Sequence, residues 1–237
     1  MSFTFTRTLD HGIERVTCAP AVRRFETPLL LQHGMWHGAW CWQGWQELFA
    51  ERGWESHAFS LPGHAGSPAR RPVRWCTLGY YLRYLRAEIE RLPCPPVLIG
   101  HSMGGALTQW YLRYGGDLPA AVLVAPWPAR NMLPALLRFG RFDPLGFVKC
   151  LLSLSATPTI RTPARAARMF ISAGALLSPE ELHARLGPES LWVLLQYNPP
   201  LWRPAQTVNT PMLWLAAGGD TLITEAEQRR AAAHYRA

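Results

Sequence analysis

The stretch Pro96-Val97-Leu98-Ile99-Gly100-His101-Ser102-Met103-Gly104-Gly105 is an apolar run that breaks into Gly-x-Ser-x-Gly and goes on as a helix-compatible segment. A serine on a tight strand-to-helix turn needs small neighbours two residues before and two after it, because a Cβ at either place would collide with the turn. Gly100 and Gly104 meet that need. The spacing predicts a strand over 97–99, a sharp elbow at Ser102 and a helix over about 104–114. The amide-rich start of that helix points at Ser102, so an anion forming beside its oxygen meets backbone N–H groups and a favourable dipole. By itself the five-residue pattern also fits an ordinary Gly-rich turn. The apolar run before it and the helical pattern after it favour the elbow, and with it acyl transfer.

Around this segment, short apolar runs alternate with helical patterns. Residues 3–9, 13–18 and 28–32 read as strands, 40–52 as a helix stopped by Gly53, 54–60 as a strand, 78–92 as a helix and 121–125 as a strand. From 126 to about 204 the alternation stops. Helix-compatible stretches at 132–139, 164–177, 180–186 and 190–197 follow one another between prolines and glycines. A strand pattern returns at 211–217, and a last helix is expected from about 224 to 236. The fold class expected is therefore α/β: a mostly parallel central sheet with helices on both faces, plus a helical cap. Residues 1–125 and 205–237 form the core and 126–204 the cap. The cap's apolar side chains, among them Leu136, Phe139, Met169 and Phe170, imply a hydrophobic pocket over Ser102, with Trp36, Trp127 and Trp192 as candidate walls.

With 237 residues, 49% of them hydrophobic, the chain can bury one large core and is not disordered. It has no apolar run of about 18 residues and no signal-peptide pattern at its start, so a soluble, cytoplasmic protein without stable membrane insertion is expected. Five scattered cysteines, an odd count without metal spacing, point to reduced thiols rather than a disulfide framework. No motif calls for a metal or organic cofactor. The net charge of +8 comes almost wholly from arginines spread along the chain, Lys149 being the only lysine. Nucleic-acid binding would want a clustered basic stripe and a known module, and the sequence has neither. A weak attraction to anionic lipid surfaces or acidic substrates is left open.

In these motifs and their order the chain resembles the α/β-hydrolase superfamily over nearly its whole length. Gln32-His33-Gly34-Met35 is similar to the family's oxyanion loop, which implies that the backbone N–H groups of Met35 and Met103 bind the oxyanion. The fuller string from His33 to Trp42 resembles plant methylesterases and hydroxynitrile lyases. Pro62-Gly63-His64-Ala65-Gly66-Ser67 and the long insertion look more like bacterial esterase and lysophospholipase-like members. Asp220 sits where the family keeps the acid that orients a histidine. The resemblance therefore implies a carboxylic-ester hydrolase with Ser102 as nucleophile and a small hydrophobic ester as partner. The base departs from the pattern: the family places it after a further strand, and His234, inside the last helical pattern, is the only histidine downstream of Asp220. His37, in the oxyanion loop, is a second candidate. Three readings stay open: a C-terminally shortened esterase, a hydrolase-fold binder of small molecules without turnover, and a lactone, amide or carbon–carbon bond hydrolase. A missing last strand would also leave a sheet edge open to self-association.

Overall fold

The computed structural model describes residues 3–172 and 174–237. Seven strands form one sheet: β1 (Phe3–Asp10), β2 (Ile13–Pro20), β3 (Leu29–Gln32), β4 (Ser56–Phe59), β5 (Val97–His101), β6 (Ala120–Val124) and β7 (Met212–Leu215), in the spatial order β1-β2-β4-β3-β5-β6-β7. β1 and β2 form an antiparallel hairpin, and β2 also runs antiparallel to β4; every other pairing is parallel. The order reverses beside β3, and β5 lies in the middle of the parallel part, so its C-terminal end opens where such sheets bind ligands.

Helices cover both faces because the strands alternate. Leu30, Leu98, Ala121 and Leu123 point to the side of α2 (Leu78–Arg91) and α3 (Met103–Tyr114). Leu29, Leu31, Ile99 and the half-buried Val122 and Val124 point to the other side, where Trp42 and α1 (Gln43–Glu51) pack. Between β6 and β7, among the described residues, come five α-helices: α4 (Leu133–Phe142), α5 (Pro144–Ser153), α6 (Pro163–Phe170), α7 (Pro179–Arg185) and α8 (Trp192–Gln196). The last, α9 (Glu225–Tyr235), sets Ala231 and Tyr235 against Met212 and Trp214 of β7.

One expectation within 126–204 needs correction. The segment 164–177 is helical only as far as Phe170, whose successor Ile171 turns to extended backbone. Helix α5 falls between the helix-compatible stretches at 132–139 and 164–177. In the structure Pro144 is the first helical residue, where its missing N–H costs nothing, and the side chain of Asp143 caps the helix by accepting from the Gly146 amide at 3.0 Å.

Candidate active site

Ser102 stands between β5 and α3 with φ 52° and ψ −115°, a backbone conformation that costs a non-glycine residue free energy and persists only where its surroundings impose it. The imposing contacts are visible. The Ser102 amide donates to the Val124 carbonyl at the end of β6 at 3.0 Å, and its own carbonyl accepts from Ala106 and Trp127. A Cβ on Gly104 would overlap the Gln32 carbonyl oxygen, so only glycine lets α3 press this close to the end of β3. The oxyanion-loop segment comes equally near: a Cβ on Gly34 would lie 3.0 Å from the Ser102 Cβ.

Both amides expected to face an oxyanion lie beside the serine. Met103 is the first residue of α3 and is fully buried, and Met35 lines the cavity that holds Ser102. Neither amide has a hydrogen-bond partner among the described residues. The orientation of the Met35 amide follows from His33. A carbonyl can only accept, so His33 Nδ1, 2.7 Å from the Gly34 oxygen, must carry the proton; Nε2, 3.0 Å from the Leu61 amide, must be the acceptor. Burial holds this imidazole well below its ordinary pKa, with His64 nearby as a further cause, so it stays neutral. In a trans peptide the C=O and N–H point opposite ways. Fixing the Gly34 carbonyl on His33 therefore turns the Met35 N–H away from His33. His33, directly after β3, thus sets the orientation of the Gly34–Met35 peptide.

A cavity of about 130 Å³ holds Ser102 together with Asp220, walled by Trp36, Trp127, Phe139, Met169, Phe170 and Leu222 among others. Trp36 has a positive φ of 62°, and its carbonyl accepts from Gly187 at 2.8 Å, which ties the oxyanion loop to the segment before α8. Trp192 is not among the lining residues. Leu194 takes that place, because two residues along a helix turn the side chain to another face. Asp220 Oδ1 accepts from the Leu222 and Ile223 amides at 2.8 and 2.9 Å, so the carboxylate also shapes its own loop.

The structure does not bring His234 to this cavity. It sits in the last turn of α9, lines a separate hollow with Ala129 and Asn131, and places Nε2 2.9 Å from the Ala205 carbonyl. A helix that packs on β7 through Ala231 and Tyr235 cannot also turn residue 234 toward Ser102. His37 is tied by Nδ1 to the Met35 carbonyl at 2.7 Å, and its burial pushes the imidazole down to about 4. His101 lines the cavity, but burial pushes it down to about 3, with the neighbouring His37 as the lesser cause. Among the described residues neither Ser102 nor the Asp220 carboxylate is hydrogen-bonded to an imidazole.

This geometry agrees with what the chain is similar to. A model of the Alpha/beta hydrolase family matches residues 29–237. A pyrethroid hydrolase of Sphingobium wenxiniae is 31% identical over 107 residues, 42% of this chain, and the match spans only 38% of that relative's length. A probable esterase of Oryza sativa subsp. indica, PIR7A, is 28% identical over 200 residues, covering 81% of this chain and 71% of that one. Among solved structures, the epoxide hydrolase VrEH1 of Vigna radiata superposes with a TM-score of 0.67 at 17% identity over 99% of this chain and 86% of its own. Strand order, elbow and family match agree: the chain belongs to the alpha/beta hydrolase family.

Proposed function

We propose that the protein is a serine hydrolase of carboxylic esters with short hydrophobic acyl or alkyl groups. One observation carries the reading: a strained, clamped Ser102 opens into an apolar cavity beside two backbone amides that have no other partner among the described residues. Ser102 Oγ attacks the ester carbonyl, and the carbonyl oxygen gathers charge against the Met35 and Met103 amides. The alcohol leaves with the proton that the Ser102 hydroxyl gives up as the carbon–oxygen bond breaks, and water then releases the acid from the acyl-serine and returns a proton to Ser102 Oγ. Preorganised donors of this kind are each worth about 3 kcal/mol of barrier. Asp220 lines the same cavity, where its carboxylate is the group to orient an imidazole base and balance its charge. The helices of 126–204 act as the cap that keeps water from the acyl group. Cavity size sets the chain length, since a void of roughly 150 Å³ takes a benzene-sized group.

A second reading has one observation in its favour: with no imidazole hydrogen-bonded to Ser102 or Asp220 among the described residues, the cavity can bind an ester without turning it over. Acid-quenched incubation with p-nitrophenyl butyrate followed by peptide mass spectrometry separates the two. A butyryl adduct on the peptide carrying Ser102 is the expected result, while binding of the ester with no adduct would replace the hydrolase by the binder.

A further inference from the structure

The arginines look evenly scattered along the sequence, but the fold gathers three of them around one hollow. A second cavity of about 240 Å³ lies between α4, α6 and the loop after Asp220; Arg138, Arg165 and Arg168 line it, and no carboxylate does. Phe139, Thr159, Met169 and Leu222 line both this hollow and the Ser102 cavity, so the two are direct neighbours. Two of the arginines are held by partners. Arg138 donates to the Leu222 carbonyl and to Glu227, and Arg165 shares Asp143 with Arg161. Arg168 has no carboxylate partner among the described residues. Its guanidinium lies 3.7 Å from the centre of the Phe142 ring, a contact that fixes its position while leaving its N–H donors unused.

A hollow walled by fixed guanidinium groups and by no acid is built for an anion. We infer that this arginine-lined hollow binds a carboxylate or phosphate group at the far end of the substrate whose ester lies at Ser102. The inference rests on the ester-hydrolase reading and narrows it: the substrate is an ester with an anionic tail, its apolar middle lying along Met169 and Leu222, which line both cavities. Arg138 also links the two sites, because the Leu222 residue that accepts from it donates its own amide to Asp220.

Equilibrium binding to the Ser102→Ala protein tests this without requiring turnover. Three probes of similar length are compared by isothermal titration calorimetry: methyl hexanoate, monomethyl adipate, and the phosphate monoester of methyl 5-hydroxypentanoate. One charge-assisted contact predicts about tenfold tighter binding of an anionic probe than of the neutral one. Which anion gains more tells carboxylate from phosphate. In an Arg168→Gln background the preference disappears, Arg168→Lys restores part of it, and binding of methyl hexanoate does not change. Equal binding of all three probes, binding of none, or a preference that survives Arg168→Gln overturns the inference. An intact anion preference together with no Ser102-dependent hydrolysis of the same esters would instead overturn the hydrolase reading and leave the anion site standing.

Discussion

At the level of single residues, the site depends on backbone groups that side chains hold in place. His33 is the clearest case, with Nδ1–H on the Gly34 carbonyl and Nε2 on the Leu61 amide. Replacing it by alanine frees the Gly34–Met35 peptide and leaves the buried Leu61 amide unpaired. The expected outcome is a fall in kcat of about a hundredfold, near the loss seen when one oxyanion donor is removed. KM changes little, because the Ser102 cavity keeps its walls. An unchanged kcat for His33→Ala in steady-state ester hydrolysis would mean that the Met35 amide is held by something else. The residues that present the site were legible in sequence because Gly-x-Ser-x-Gly and His-Gly are local in the chain. His33's part was not, since it depends on Leu61 meeting it across the sheet.

Among the elements, α5 and α6 show how one buried carboxylate organises two helices. Asp143 caps α5 through the Gly146 amide and pairs with Arg161 and Arg165 around the start of α6. The hydrogen bond from Arg161 is the main reason its carboxyl is held down to about 2. Because the folded pKa lies below the unfolded one, this stabilisation is complete above the ordinary aspartate range near pH 4. It drains away as pH falls toward 2. Asp143→Ala is expected to destabilise the protein by about 2 kcal/mol at pH 7, one lost cap plus unpaired arginines, and by much less near pH 2. Urea denaturation at the two pH values checks both the size and the direction. Local signals located most helices of 126–204, but a proline that starts a helix looks the same in sequence as one that ends it. The true start depended on Asp143 finding two arginines, a tertiary fact.

For the molecule as a whole, the sheet reached its expected architecture because apolar alternation fixes which face each strand buries. The pairing of β2 with β4 was not legible, because antiparallel partners need no particular sequence spacing. On its outer side β7 has no strand neighbour among the described residues, and its α1-side face leaves Leu213 53% and Leu215 37% exposed. An apolar edge with unpaired amides favours pairing with a second copy. Sedimentation velocity is therefore expected to show concentration-dependent dimerisation, relieved by Leu213→Lys; a monomer at all concentrations would mean the edge is inert. Among the described residues no helix is long and apolar enough to cross a membrane. The central claim, that Ser102 is the nucleophile of an ester hydrolase, is tested most directly by p-nitrophenyl butyrate hydrolysis. Wild-type and Ser102→Ala chains are compared, each with and without added imidazole to stand in for the base beside Asp220. After subtraction of the hydrolysis that imidazole causes without protein, the account predicts slow turnover that imidazole accelerates in the wild type alone, with at least about a thousandfold loss in Ser102→Ala under the accelerated condition. Equal rates for the two chains would contradict it.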